Sequence, residues 1–205
     1  MKKIASLRLG PEVVRHLLPH RRRLLLVDRV TAYERTPQPT LLACRYITAN
    51  EDVFAGHLPE LAIWPGVYIC EGLGQTSYLL HLIWMLQQGF EDHGRSADEV
   101  LEALRDLEHG ARIQPGQAPS QGKGAALLEV MQRAAIPVGL AAGVEMQFLQ
   151  PVFPGSRLDY RLVQTHLTDS IVRFEAEAEV EGQLVARGVL HSTRGVPILA
   201  GRRGG

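Results

Sequence analysis

The sequence predicts an α+β fold that combines one long buried helix with an antiparallel sheet. The helix is indicated by residues 62–86, an apolar stretch in which Glu71 is the only acidic, lysine or arginine residue. The sheet is indicated by residues 171–181, where apolar and charged side chains alternate with the two-residue period of a half-buried strand. A chain of 205 residues with 45% hydrophobic content can bury one such core. We therefore expect a single domain over residues 1–205.

The first half of the chain contains a strand followed by the long helix. Apolar positions alternate over residues 40–48, which predicts a strand, and residues 49–63 read as a loop. Pro65 then precedes a helix expected over about 67–87, which is apolar on nearly every side, as is typical of an enclosed helix. Gly72 and Gly74 each cost about 1 kcal/mol in a helix interior. We expect other strands to approach the helix closely at these two glycines.

Residues 88–136 differ in composition and predict a helical insertion. The pattern Ser96-Ala97-Asp98-Glu99 is a capping box, and apolar residues follow it on one helical face. Residues 114–124 are too rich in Gly, Pro, Ser and Gln for regular structure, and 125–135 predict a second short helix. We expect the insertion to have a mobile middle and to cover an edge of the core, with a lid as the alternative.

The last third of the chain predicts an antiparallel meander. Its expected strands cover residues 143–149, 157–168, 171–181 and 183–192, and the turns Asp169-Ser170 and Gly182-Gln183 separate the last three. Residues 194–205 are expected to be a disordered tail.

Composition argues against several classes of partner and location. The 22 basic and 22 acidic residues balance, so charge gives no reason to expect nucleic acid or a membrane surface as a partner. Residues 62–86 approach membrane-spanning length but contain prolines, glycines and polar side chains, which favours a core helix. Cys44 and Cys70 do not form a disulfide framework, and residues 1–10 lack the apolar core of a signal peptide. We expect a cytoplasmic protein without a metal site.

His57 and Glu71, fourteen residues apart, are the candidate catalytic residues. A carboxylate inside an apolar helix is costly to bury, so we expect Glu71 to hold its proton and to serve as a general acid. A neutral imidazole nearby would serve as the base. The alternative is that Glu71 is a buried salt-bridge partner, for example of an arginine. The other histidines are read as structural residues: His16, His20, His81, His93, His109, His166 and His191.

Three motifs, in the right order, resemble those of the bacterial 3-hydroxyacyl-[acyl-carrier-protein] dehydratases of fatty acid synthesis. The first motif is Leu18-Pro19-His20-Arg21 followed by Leu24-Leu25-Leu26-Val27-Asp28-Arg29-Val30. The second motif is Gly56-His57-Leu58-Pro59, then Pro65-Gly66-Val67, then Glu71 with Gln75 four residues later. The third motif is Gln150-Pro151-Val152-Phe153-Pro154-Gly155. The resemblance covers roughly residues 15–87 and 140–193.

The resemblance implies a hotdog fold, in which the sheet wraps the helix, and a homodimer with its active sites at the interface; a higher homo-oligomer is the alternative. Each site would take His57 from one chain and Glu71 from the other. Fourteen residues of straight helix would separate the pair by about 21 Å, which agrees with a site shared between chains. His57 would remove a proton from C2 of a 3-hydroxyacyl thioester, and Glu71 would protonate the departing 3-hydroxyl. The amide of Gly66 would bind the thioester oxygen.

The same resemblance implies substrate contacts at Pro65, Gly66, Val67 and Gln75, and no metal or organic cofactor. The substrate would be carried on the phosphopantetheine of acyl carrier protein, or as a coenzyme A thioester. Arg21, Arg22 and Arg23 would dock the carrier protein or form a solvated face.

The chain departs from the family pattern at two places. Arg22-Arg23 replaces Tyr-Pro, and Glu60-Leu61-Ala62 replaces Gly-Lys-Pro, which leaves the substrate entrance and chain-length preference open. The alternatives are an enoyl thioester isomerase, a dehydratase of a polyketide-like pathway, and a catalytically silent hotdog partner in a carrier-protein complex. A thioesterase is the weaker alternative.

Overall fold

The structure is a computed structural model that describes residues 4–58, 60–117, 120–133 and 139–194. Its strands are β1 (Ser6–Leu9), β2 (Arg29–Glu34), β3 (Thr40–Tyr46), β4 (Ala141–Phe148), β5 (Arg157–Leu167), β6 (Ile171–Val180) and β7 (Gln183–Thr193). Its helices are α1 (Pro11–Leu17), α2 (Gly66–Asp92), α3 (Asp98–Ile113) and α4 (Gly122–Arg133), with short 3-10 turns at Arg22–Leu24 and Asp52–Ala55.

The seven strands form one antiparallel sheet that packs against α2. The strand order is β1-β2-β3-β5-β6-β7-β4, and α2 contacts β3, β4, β5 and β6. Along β6, Val172, Phe174, Ala176 and Ala178 are buried, as the alternating pattern predicts, because alternate side chains of a strand point to opposite faces. The predicted hotdog arrangement, a long helix covered by an antiparallel sheet, is confirmed.

Helix α2 begins where predicted but continues five residues further than expected. Pro65 is its N-cap, with the extended backbone that precedes a first turn, and the helix ends at Asp92. Phe90 lies in the additional residues and is buried, so tertiary packing extends the helix past the end of the apolar sequence pattern.

The two helix glycines have different surroundings. A Cβ atom built on Gly72 would lie 2.2 Å from Oη of Tyr160 on β5, so a strand approaches the helix closely there, as predicted. A Cβ atom on Gly74 would meet nothing within 4 Å, so the same expectation is wrong for Gly74. That glycine faces an open cavity instead of a strand.

The region predicted as an insertion contains α3 and α4. The predicted capping box forms in part: Ser96 N–H donates to the Glu99 carboxylate, but Ser96 Oγ accepts from Asp98 N–H instead of Glu99 N–H. Helix α3 buries Val100, Leu104 and Leu107, and it packs on β1 and α1, so it covers an edge of the core. Residues 118–119 of the expected mobile middle, residues 134–138, and residues 195–205 of the expected tail lie outside the described residues.

Strand β4 forms one edge of the sheet. Within the described residues it pairs only with β7, so its outer edge is unpaired. Most of its residues are exposed, including the apolar side chains of Val144 and Phe148. An edge strand with open hydrogen-bonding groups and exposed apolar side chains is a surface suited to pairing with another strand.

Candidate active site

His57 lies in the loop before α2, and its proton position can be inferred from its hydrogen bonds. Its backbone N–H donates to the Val53 carbonyl at 2.8 Å, which extends the 3-10 turn into the loop. The ring Nδ1 is 2.8 Å from the Ile63 carbonyl oxygen. Because a carbonyl oxygen can only accept, a neutral imidazole in this position carries its hydrogen on Nδ1. Nε2 is therefore left unprotonated, which is the form that a general base requires.

The amino terminus of α2 presents free backbone donors. In the described part of the chain, the amide N–H groups of Gly66 and Val67 have no hydrogen-bond partner, and both residues line a cavity of about 490 Å³. The wall opposite them is built by residues 148–152, and Phe148 packs so closely that a Cβ on Gly66 would lie 2.9 Å from its ring. Free amides at a helix N-terminus are suited to binding an oxygen on which negative charge develops.

Glu71 lines a second cavity, of about 350 Å³, one helical turn further along α2. The expectation of a lone carboxylate buried among apolar groups is wrong, because the Glu71 side chain is 41% exposed in the single chain. It also has polar neighbours: its Oε1 accepts a hydrogen bond of 2.8 Å from Gln75 Nε2 and lies 3.3 Å from His20 Nε2. The apolar sequence around Glu71 belongs to other faces of the helix.

Gln75 connects Glu71 to the loop before β2. Its amide nitrogen also donates to the Leu24 carbonyl at 2.6 Å, and its oxygen accepts from Leu26 N–H at 2.9 Å. With 2% of its surface exposed, Gln75 has both amide hydrogens committed, so its orientation is determined by three partners. Gln75 therefore holds the Glu71 carboxyl in place.

His20, which the sequence interpretation grouped with the structural histidines, lies beside Glu71 in the candidate site. It lies in the same cavity as Glu71. The signal that could have identified it is its position in the Pro-His-Arg motif of the resemblance. That motif did not indicate which part of α2 the histidine contacts.

His57 and Glu71 do not meet within one chain. His57 is absent from the lining of the cavity that contains Glu71, and no hydrogen bond or ion pair joins the two among the described residues. Within the described residues of a single chain, the two candidate residues therefore have no direct contact.

The three candidate carrier-docking arginines have different surroundings. Arg21 donates to the carbonyls of Leu18 and His20, at 2.6 and 2.7 Å, and Arg23 pairs with Asp52 at 2.6 Å. Arg22 is exposed and has a positive φ of 55°; its carbonyl accepts from Leu25 N–H, but its side chain has no hydrogen bond or ion pair within the described ranges. Of the three, Arg22 is the one that is free to contact a partner.

Other candidate features of the site can be stated briefly. Both cysteines are free thiols, and burial raises the pKa of Cys70, which lines the Glu71 cavity, and of Cys44. Across residues 4–58, 60–117, 120–133 and 139–194, no group of three or more His, Cys, Asp or Glu side chains is arranged to hold a metal ion. None of the helices in those ranges is both long and apolar enough to cross a membrane.

The family model and the curated relatives agree on one family. A family model described as a FabA-like domain matches residues 18–118. The 3-hydroxyacyl-[acyl-carrier-protein] dehydratase FabZ of Helicobacter hepaticus is 30% identical over 184 residues, covering 87% of this chain and 85% of that protein. The FabZ protein of Wolinella succinogenes is 29% identical over 177 residues, covering 86% and 89%. Among solved structures, the dehydratase heterocomplex ApeI:P from Xenorhabdus doucetiae matches with a TM-score of 0.48 and 16% identity, covering 88% of this chain and 89% of that chain.

Proposed function

We propose that this chain, which belongs to the 3-hydroxyacyl-[acyl-carrier-protein] dehydratase family of hydro-lyases, converts a 3-hydroxyacyl thioester to a trans-2-enoyl thioester and water. The observation that carries the proposal is the 2.8 Å contact between His57 Nδ1 and the Ile63 carbonyl oxygen. This bond to the Ile63 carbonyl leaves Nε2 free to accept a proton. A base in that state, together with a solvent-accessible carboxyl on α2, supplies both proton transfers that a dehydration needs.

The reaction divides between the two side chains. His57 Nε2 takes the proton from C2 of the substrate, and the electron pair left on C2 is delocalised onto the thioester oxygen. The free amides of Gly66 and Val67 stabilise the charge on that oxygen. Glu71 then gives its proton to the 3-hydroxyl, which leaves as water while the C2–C3 double bond forms. Pro65 positions the first turn of α2 that carries these amides.

The working site is formed by two copies of the chain, with His57 from one and Glu71 from the other. Support comes from the β4 edge, where the unpaired side of the strand is continuous with exposed apolar side chains. These are Val67, Leu140, Val144, Phe148, Leu149 and Phe153, which are 44–69% exposed in the single chain. Pairing two β4 strands would extend the sheet across the dimer and cover this surface. It would also enclose the cavities at Gly66 and Glu71, which both open beside β4.

The substrate is carried on the phosphopantetheine of an acyl carrier protein, with a coenzyme A thioester as a substitute in the assay. Carrier proteins are acidic, so an exposed cation at the site entrance would steer their approach. We assign the docking of the carrier protein to Arg22, since Arg21 and Arg23 have partners within the chain. The reaction as written needs no metal or organic cofactor.

We place the protein in the cytoplasm, because its free cysteines fit a reducing compartment.

Subunit complementation tests the site directly. His57→Ala and Glu71→Gln chains, each inactive alone, are co-expressed with different tags, and dimers carrying both tags are purified. One of their two sites has both substitutions, whereas the other has an intact His57 and an intact Glu71. We expect these dimers to have about half of wild-type activity on 3-hydroxyacyl thioesters. The activity is measured as the rate at which the 2-enoyl product forms.

The matched control combines both substitutions in one chain and pairs it with an unsubstituted chain. If site residues come from different chains, each site of this control dimer lacks one residue, and activity is lost. If they come from the same chain, this control keeps half of the activity and the complementing pair has none. That reversal would contradict the shared site, whereas an inactive wild type would contradict the proposed reaction.

A further inference from the structure

Arg45 contacts both ends of the loop that carries His57, and the reaction above gives it no role. Its guanidinium donates from Nη1 to Asp28 Oδ1 at 2.7 Å and from Nη2 to Glu51 Oε1 at 2.8 Å. Its Cζ atom also lies 5.9 Å from the centre of the Trp64 ring. We propose that Arg45 is a positioning residue that fixes this loop on both sides of His57 and thereby holds the ring in the tautomer that a base requires. This inference rests on the proposed dehydratase reaction, in which His57 is the base.

Arg45 is itself fixed to the sheet. It lies on β3, which is paired on both sides, with β2 and with β5. Asp28 accepts the N–H of Tyr46 through Oδ2 at 2.7 Å, and its own N–H donates to the Cys44 carbonyl at 2.9 Å. The side chains of Arg45, Asp28 and Glu51 are only 16–26% exposed, so water competes little with their charge-assisted hydrogen bonds. The guanidinium is therefore a fixed point from which the loop can be held.

The hydrogen bond to Glu51 holds the beginning of the loop. Glu51 is the N-cap of the 3-10 turn Asp52–Ala55. Within this turn, the carbonyl of Val53 accepts the backbone N–H of His57 at 2.8 Å. Arg45 is thus connected to the backbone of His57 through one carboxylate and one short turn. A shift of Glu51 would move the turn and the histidine together.

The contact with Trp64 holds the end of the loop. A guanidinium within about 6 Å of an indole ring is attracted by the electrons of the ring. Trp64 is buried, and its backbone N–H donates to the Val152 carbonyl at 2.8 Å. The preceding residue, Ile63, supplies the carbonyl oxygen that lies 2.8 Å from Nδ1 of His57. The position of Trp64 therefore determines where this acceptor lies.

The two hydrogen bonds of His57 come from opposite ends of the loop. Their acceptors are the carbonyls of Val53, two residues after Glu51, and of Ile63, one residue before Trp64. When both ends are held, the ring carries its hydrogen on Nδ1 and leaves Nε2 unprotonated. A neutral ring that is released from the Ile63 carbonyl can carry its hydrogen on either nitrogen, and the form with the hydrogen on Nε2 cannot accept a proton there.

Two substitutions test this role in the full-length protein. Glu51→Gln weakens the link from Arg45 to the loop but keeps the pair with Asp28, whereas Arg45→Met removes the guanidinium from both ends. We expect kcat on 3-hydroxyacyl thioesters to fall about tenfold in each, with KM changed less than about threefold. The double variant should lose no more than Arg45→Met alone, because both changes break the same link. Glu91→Gln is the matched control: it breaks a two-bond pair with Arg35, at 2.5 and 2.6 Å, near the carboxyl end of α2, and should retain wild-type kcat.

Nitrogen NMR of histidine-labelled protein gives a readout that does not depend on turnover. Spectra are recorded at about pH 8.5, where an ordinary imidazole is neutral, and circular dichroism confirms that each variant is folded. The His57 signals are identified by their absence from His57→Ala. We expect a protonated Nδ1 in wild type and in Glu91→Gln, and a larger share of protonated Nε2 in Glu51→Gln and Arg45→Met.

The outcomes separate the role of Arg45 from the reaction itself. Folded Glu51→Gln and Arg45→Met proteins with the wild-type tautomer, or with wild-type kcat, would overturn the proposal. An equal kcat loss in Glu91→Gln would also overturn it, because the effect would then not be specific to the His57 loop. A wild type that dehydrates no 3-hydroxyacyl thioester would instead overturn the reaction, and the tautomer measurement would still decide whether Arg45 positions His57.

Discussion

Gly72→Ala should destabilise the protein although alanine is the better helix former. Gly72 lies inside α2, where the replacement gains about 1 kcal/mol of helix propensity. The new Cβ would lie 2.2 Å from Oη and 2.5 Å from Cζ of Tyr160, distances at which something must move. Tyr160 is 1% exposed in the middle of β5, so its ring has no room to withdraw.

The net effect follows from setting strain against propensity. Overpacking a tight core site costs about 3 kcal/mol, which exceeds the propensity gain and leaves a loss of about 2 kcal/mol in unfolding free energy. With a urea dependence of about 2 kcal/mol per molar, the unfolding midpoint should fall by about 1 M. Gly74→Ala is the matched control on the same helix, since its Cβ would meet nothing within 4 Å. It should raise the unfolding free energy by up to about 1 kcal/mol.

Urea unfolding followed by circular dichroism at one fixed protein concentration measures both variants. The concentration is held constant because the unfolding midpoint of the proposed dimer would depend on it. Adding Tyr160→Phe to Gly72→Ala should recover part of the loss, because it removes the nearest atom but leaves the ring carbon at 2.5 Å. If Gly72→Ala were as stable as Gly74→Ala, the close approach of β5 to the helix would be refuted.

Three further predictions concern the ion pairs, the core and the sheet edge. Arg45 bridges Asp28 and Glu51 at 2.7 and 2.8 Å, and 16% of its side chain is exposed. Arg45→Met should therefore lower the free energy of unfolding in urea by about 2 kcal/mol. An unchanged unfolding midpoint would contradict the bridge. Burial lowers the pKa of His81, so just below its ordinary pKa the unfolded chain binds more protons than the folded chain. The free energy of unfolding should therefore fall as the pH drops from 7.5 to 5.5, and it should fall less steeply in His81→Asn. Equal slopes for the two proteins would contradict that assignment. Val144→Lys on β4 should produce a monomer by light scattering and abolish dehydration, and an active monomer would argue against the shared site.

The sequence predicted the parts of the fold that have local signatures. Residues 62–86 are apolar without alternation and form most of α2, and the strict alternation of residues 171–181 corresponds to β6. The sequence did not predict β1, α1 or β2, because these elements are short and their periodicity is weak. It also did not predict that α2 continues to Asp92, where the burial of Phe90 offsets the polar composition of residues 88–92.

Only those parts of the candidate site that have a local sequence signature were predicted. His57, Gly66, Glu71 and Gln75 were identified from motifs. The hydrogen bond from Gln75 to Glu71 joins residues one helical turn apart, a spacing that the sequence shows. The contact of His20 with Glu71 spans 51 residues, and no local pattern encodes it. The hydrogen bonds of Arg21, a docking candidate in the sequence, to the carbonyls of Leu18 and His20 were likewise not predicted.

The sequence by itself determined that this protein has one long core helix, an antiparallel sheet, and a histidine and a glutamate in a family-specific order. Only the tertiary structure decided that Glu71 is accessible and flanked by His20 and Gln75, that Gly72 but not Gly74 meets a strand, and that β4 is left as an open edge. The physical reason is that periodicity reports which side of an element is buried. It does not report which distant atoms occupy the space beside that element, and the site depends on those atoms.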